Sequence, residues 1–201
     1  MNPEPGVRAA GPNDAPFAAP LIHLSLDSLA DYLFGQKQEN IEKLLTELFA
    51  RDAGRFGYRN AFIAEFEGEP VGLLIASRGK DLTRLDRKTI PHLIAVLGLI
   101  KTIGFIWRTV TLPGGREAED DELYIANLGI ITSMQGRSLG SQLLAYAEKL
   151  THESNLMKCS LIVGWHNADA RRLYERIGYQ TVETVQDEAK HRGYYRMVKI
   201  L

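Results

Sequence analysis

The run Ile130-Ile131-Thr132-Ser133-Met134-Gln135-Gly136-Arg137-Ser138-Leu139-Gly140-Ser141 passes from an apolar stretch through small and polar residues into a helical pattern. A strand, a loop and a helix in that order can hold a phosphate largely on backbone. The first N–H groups of a helix lack intrahelical acceptors, and the macrodipole adds positive character there. Gly136, Ser138, Gly140 and Ser141 are small enough to let the backbone approach an anion closely, and Arg137 could add a charge-assisted contact. The same run also reads as an ordinary strand-to-helix turn in which glycine supplies backbone freedom. Gly-rich turns are weak motifs on their own.

A second run follows the next apolar stretch: Asn167-Ala168-Asp169-Ala170-Arg171-Arg172-Leu173-Tyr174-Glu175-Arg176-Ile177-Gly178-Tyr179. Ala170, Leu173 and Tyr174 fall near one helical face, and Gly178 supplies a C-terminal stop. Together the two runs resemble the two cofactor-binding segments of the GNAT superfamily of N-acetyltransferases. That family shows Arg/Gln-x-x-Gly-x-Gly/Ala before its central helix and later Asn-x-x-Ala-x-x-Leu-Tyr-x-x-x-Gly-Phe/Tyr. The later pattern matches at Asn167, Ala170, Leu173, Tyr174, Gly178 and Tyr179. The earlier one matches at Gln135 and Gly140, with Ser138 where the family usually has its first glycine.

The resemblance implies acetyl transfer from acetyl-CoA, as co-substrate, to an amine. In such folds the fourth and fifth strands splay and the acetyl-pantetheine lies in the gap. Backbone groups near Ile130 and Thr132 would hold the pantetheine. Gln135, Gly136, Arg137, Ser138, Leu139, Gly140 and Ser141 would form the pyrophosphate loop. Tyr174 would protonate the departing thiolate, its unperturbed phenol pKa of about 10 lying near that of a thiol leaving group. The other reading of Tyr174 is a core aromatic with a satisfied hydroxyl. Asn167 either contacts the cofactor or caps the following helix.

A general base is harder to read. Some GNAT enzymes carry a glutamate on the fourth strand, where this sequence has Tyr124, and ribosomal-protein acetylases carry one on the fifth, where Ile162 stands. A water chain held by Tyr124 and Asn127 could replace it. Glu122 reads as a solvated member of an acidic run and His166 as a loop histidine. Tyr194 and Tyr195 could line the acceptor site or simply pack. Cys159 reads as a small buried residue, since direct transfer needs no nucleophilic thiol. His23, His92, His152, His166 and His191 show no metal-ligand spacing, so no metal is expected.

These residues need elements to position them. The pattern predicts a strand over 7–10, a turn with Asp14 as N-cap, a helix over 15–33 and a clearer one around 40–49. A hairpin is expected from strands 60–67 and 71–77 with its turn at Gly68-Glu69-Pro70. Residues 123–131 read as a central strand, 140–153 as a helix, 160–163 as a strand and 168–177 as a helix. Strands over 180–185 and 194–200 close the chain. The order indicates an α/β or α+β class with a mixed, mostly antiparallel sheet flanked by helices. This is the GNAT-like order over most of the chain. The stretch 78–122, longer than the family's usual link, is a helical insertion between the third and fourth strands. It is basic at its start, then apolar, and is expected to break near Pro91 or at Thr102-Ile103.

The insertion reads as a packed cover or homodimer interface, as a wall of the acceptor site, or as a surface touching a membrane or apolar acceptor. Pro91, His92 and Lys101 interrupt it, so no transmembrane span is expected. At 201 residues with 45% hydrophobic, one domain over 1–201 is the default. Lys+Arg number 24 against 25 Asp+Glu, a net charge of −1 that argues against a general nucleic-acid binder and against a disordered chain. One cysteine permits no internal disulfide, and the N-terminus shows no signal-peptide pattern, so a cytoplasmic location is the simplest reading. The acceptor could be a small-molecule or a peptide amine. A GNAT-like acyl-CoA-binding sensor or interaction module without efficient catalysis is the alternative, because no carboxylate base is evident.

Overall fold

The computed structural model describes residues 6–187 and 192–201. Residues 1–5 and His191, both part of the sequence reading, lie outside the described residues. Among the described residues seven strands form one sheet: β1 Gly6–Ala9, β2 Ala61–Phe66, β3 Glu69–Arg78, β4 Glu122–Ile130, β5 Lys158–Gly164, β6 Gln180–Asp187 and β7 Arg192–Ile200, in the order β1-β2-β3-β4-β5-β7-β6. The β1–β2, β2–β3, β5–β7 and β6–β7 pairs are antiparallel and β4–β5 is parallel. The helices are α1 Ala15–Leu26, α2 Ser28–Phe34, α3 Gln38–Ala50, α4 Leu82–Leu97, α5 Leu99–Val110, α6 Leu139–Glu153 and α7 Ala168–Ile177. The mixed, mostly antiparallel sheet with a helical pair between the third and fourth strands is the expected architecture.

The chain divides into two compact units. The first comprises the residues up to Ile75, Leu82–Leu112 and Asn127–Leu143. In it α1 packs against α3. The fully buried Ala18, Ala19 and Ile22 of α1 and Ile41, Leu45, Leu48 and Phe49 of α3 form the apolar core that holds them. The second comprises Ala76–Asp81, Pro113–Ala126 and Leu144–Leu201. Its core includes Leu144 and Ala147 of α6, Cys159 and Leu161 of β5, and Met197 of β7, all within 1% of full burial.

Three local features differ from the sequence expectation. The helix expected over 15–33 is two helices, because Asp27 adopts φ 49° between them. Asp14 sits at the N-cap position of α1 but does not cap it. Its carboxylate turns back to accept from the Gly11 N–H at 2.7 Å and from the Arg8 guanidinium at 2.8 Å. The hairpin turn is one position earlier than expected, at Glu67-Gly68, where φ is 54° and 85°. Two successive positive φ values match the twist of the flanking strands.

The insertion breaks at neither expected place. α4 runs straight through Pro91, and the chain turns at Gly98, φ 79°, before α5 starts. Proline removes one intrahelical bond, whereas the Gly98 backbone lies in a region other residues rarely enter.

Candidate active site

In the first unit, the loop after β4 forms a short 3₁₀ turn over Thr132–Met134 and then enters α6. The Met134 N–H donates to the Ile131 carbonyl at 3.0 Å and the Gln135 N–H to Thr132 at 3.3 Å. The Gln135 side chain returns to the Ile130 carbonyl at 3.4 Å, holding the loop against the strand end. Two left-handed residues follow, Gly136 at φ 76° and Ser138 at φ 62°. Ser138, where the resembling motif has a glycine, adopts a left-handed conformation that glycine enters without steric cost. A serine there carries a steric cost of about 1–2 kcal/mol.

The Gln142 N–H bonds the Ser138 carbonyl at 3.1 Å, the first bond of α6, so the N–H groups of Leu139, Gly140 and Ser141 sit in the turn that has no intrahelical acceptors. Leu139 is 3% exposed and anchors that turn in the core, while Gln135, Gly136, Arg137 and Ser138 are exposed. No atom lies within 4 Å of where a Gly136 Cβ would point. The loop thus presents an open backbone surface at the positive end of a helix, a donor set that fits a pyrophosphate.

Also in this unit, buried Asn127 donates through Nδ2 to the Ser25 hydroxyl at the C-terminal end of α1, at 2.6 Å. Asn127 and Tyr124 are three positions apart on β4, so their side chains leave opposite faces of the strand. That alternation separates them as holders of one water chain.

The second unit holds the remaining candidates. The parallel ladder pairs Glu122 with Lys158 through to Ile125 with Leu161, and β4 and β5 run on past that last pair to Ile130 and Gly164. Asn167 is the N-cap of α7, its Oδ1 accepting from the Ala170 N–H at 3.1 Å. Tyr174, at 8% exposure, is the buried residue of α7. Burial pushes its phenol up to about 12. Its ring leans on Tyr179 at 6.0 Å, and no hydrogen bond to its hydroxyl is seen among the described residues.

Tyr124 is buried, its hydroxyl 3.4 Å from the Glu117 carboxylate. Glu122 corrects the sequence reading. It is 2% exposed rather than solvated, accepting from the Glu119 N–H at 3.0 Å and from the Arg196 guanidinium at 2.5 Å. Its carboxylate is committed to that pair. Arg196 lies 74 positions away on β7, and nothing local in the sequence marks it as the partner. His166 is exposed, packed edge-on against Trp165. Cys159 is fully buried, and burial raises its thiol pKa. Tyr195 packs under the Arg171 guanidinium at 4.0 Å. Among the described residues no group of three His, Cys, Asp or Glu side chains gathers as a metal site.

Comparison with known proteins gives the arrangement a context. The model of the acetyltransferase (GNAT) family matches residues 26–179. The uncharacterized N-acetyltransferase YycN of Bacillus subtilis (strain 168) is 28% identical over 86 residues, 43% of this chain and 53% of that protein, so the match spans about half of that relative's length. A crystal structure of an acetyltransferase superposes with a TM-score of 0.73 at 24% identity, covering 97% of this chain and 98% of that one. An N-acetyltransferase from Staphylococcus aureus Mu50 gives 0.72 at 20% identity over 96% and 99%. The PaiA N-acetyltransferase from Thermoplasma acidophilum, solved with coenzyme A, gives 0.56 at 12% identity over 98% and 99%.

Proposed function

The chain belongs to the acetyltransferase (GNAT) family, and we propose that it is a cytoplasmic, single-domain N-acetyltransferase moving an acetyl group from acetyl-CoA to a primary amine by direct attack. The observation that carries this reading is the loop entering α6, where left-handed Gly136 and Ser138 precede the open N–H groups of Leu139, Gly140 and Ser141. Those groups, with the Arg137 side chain, would hold the pyrophosphate. The Ile130 and Thr132 backbones would hold the pantetheine. Asn167, while capping α7, would add an amide contact. No metal is required.

When bound, acetyl-CoA supplies an activated acetyl carbonyl and departs as a thiol. Tyr174 holds a proton for the sulfur. Its phenol, raised to about 12, stays protonated across the whole range in which an amine of pKa about 10 gains its free base. The carbon–nitrogen bond forms, the carbon–sulfur bond breaks and the phenolic proton goes to sulfur. The amine must lose one proton in turn. Glu122 is held by Arg196, so we assign the amine proton to the Tyr124 hydroxyl on β4, which passes its own proton to the Glu117 carboxylate ahead of that strand. The substrate is a small-molecule or peptide amine.

Calorimetry with acetyl-CoA and thiol release over a panel of amines test the proposal. Heat of binding and amine-dependent thiol release are expected. Absence of binding at millimolar acetyl-CoA defeats it. Binding without acetylation of any amine would instead favour the acyl-CoA-binding module.

A further inference from the structure

Helix α5 turns Ile100, Ile103 and Trp107 outward and grips α2 with its other side. Thr102, Phe105 and Arg108, three positions apart in turn, share that inner face. Thr102 is buried, Phe105 packs on the Phe34 ring at 5.1 Å, and the Arg108 Nε donates to the Leu33 carbonyl at 2.9 Å. The gripped helix is seven residues long, too short to hold itself. It ends at Gly35, left-handed at φ 60°, and its last carbonyls lack intrahelical donors. A Cβ on Gly35 would stand 3.3 Å from the Arg108 Nη2, so the guanidinium lies over that end. It brings a donor and a positive charge to the negative pole of α2. Among the described residues it has no carboxylate partner to draw it elsewhere.

The other half of the insertion is fixed to the loop after α3. Thr89 of α4 donates to the Ala53 carbonyl and accepts from the Arg55 N–H, each at 3.1 Å. Arg55 pairs with Asp86 at 2.7 Å and Lys88 with Asp52 at 2.6 Å. A Cβ on Gly54 would stand 2.2 Å from the Leu85 carbonyl oxygen, so α4 rests directly on that loop. Across the turn at Gly98 the two helices pack on each other. The pair is a strut, anchored through α4 and bearing on α2 through α5.

At its other end α2 continues a corner that touches β4. Ser28 opens α2 just past Asp27, and Ser25 accepts from the Asn127 Nδ2 at 2.6 Å. Asn127 stands three positions before Ile130, on the strand assigned to the pantetheine. A Cβ on Gly129 would stand 3.2 Å from the Leu21 side chain, so α1 lies on that face of β4. Ile130 points the opposite way, meeting Leu143 of α6 over Gly72. The helix whose entry loop is assigned the phosphates and the end of α1 therefore cover opposite faces of the strand. On the α1 side Leu24, Ser25, Asp27 and Ser28 of the corner are exposed.

We propose that Arg108 is a positioning residue for the acceptor: by capping α2 it sets the corner 24–28 along β4, and that corner guides the amine to the acetyl carbonyl. The proposal rests on the acetyl-transfer reading. In Arg108→Gln, hydrogen exchange of the 28–35 amides should quicken about tenfold while those of α3 and α6 stay unchanged. Thiol-release kinetics should show the amine KM raised about tenfold with kcat within about twofold, and calorimetry an unchanged affinity for acetyl-CoA. Arg108→Lys keeps a donor and the charge and should restore most of both. Phe105→Leu loosens the same grip without touching the guanidinium and should raise the amine KM in the same way should Arg108→Gln fold poorly. A fall in kcat at unchanged KM, weakened acetyl-CoA binding, equal defects in the Gln and Lys variants, or faster exchange with unchanged KM would each overturn the proposal. Unchanged exchange at 28–35 overturns it whatever the activity of the parent. A parent that releases no thiol with any amine is a failure of the acetyl-transfer reading; an active parent whose amine KM is indifferent to Arg108 is a failure of this one.

Discussion

The Arg196 guanidinium meets the Glu122 carboxylate at 2.5 Å with both side chains almost wholly buried. Removing one partner of such a pair leaves an uncompensated buried charge. Glu122→Gln should therefore lower unfolding free energy by about 3–5 kcal/mol in chemical denaturation. At a temperature where the variant is folded, its kcat/KM should stay within about twofold of the parent. A loss of two orders of magnitude or more with folding intact, the scale of a positioned acid or base, would return Glu122 to the chemistry.

Tyr174→Phe should bind acetyl-CoA normally and turn over about 10²–10⁴-fold more slowly. Its raised phenol pKa also makes a stability statement. A group protonated more tightly in the folded state contributes stability that is fully present below its unfolded pKa of about 10 and is lost as pH rises through about 12. Alkaline unfolding between those values should be shallower in Tyr174→Phe, as circular dichroism at rising pH would register.

Ser138 separates backbone geometry from side-chain chemistry. Ser138→Gly accepts φ 62° without the steric cost and should keep or tighten acetyl-CoA binding. Ser138→Val places a β-branched residue where it fits worst and should weaken binding at least about tenfold. Calorimetry on both variants reads the difference, and equal affinities would remove the loop backbone from the site.

Arg8 holds the Asp14 carboxyl below the usual carboxylate range, with help from the Gly11 N–H and against partial burial. A lowered folded pKa contributes stability present above about 3.9 and lost as pH falls through the folded value. Acid unfolding of Asp14→Asn should accordingly show a weaker pH dependence below about pH 4. A slope identical to that of the parent would contradict the linkage.

What was legible in the sequence was what local spacing encodes. The apolar stripe of α3, the boundaries of α7 and the Asn167 to Tyr179 pattern all depend on residues within a few turns of one another. The turn at Gly98 was not legible, because Pro91 offered a more conspicuous break that α4 tolerates, and the turn at Asp27 was not, because the apolar spacing continues across it. Glu122 read as solvent-facing for a similar reason. Its acidic neighbours are adjacent in sequence, and the arginine that buries it arrives from the far end of the chain. The outward face of α5 was hidden too, since periodicity shows that a helix has an apolar side but not which way it points.

Gly79, just after β3, approaches the Glu119 carbonyl so closely that a Cβ on Gly79 would stand 1.9 Å from its oxygen. The chain thus departs for α4 and α5 and returns at one and the same spot. Closing an excursion at a fixed neck makes its length nearly free of consequence for the strands on either side, since the entropy of closure grows only slowly with the residues enclosed. The Gly79–Glu119 neck is accordingly a splice point. Residues added to the excursion beyond that neck would leave the register of β3 and β4 unchanged.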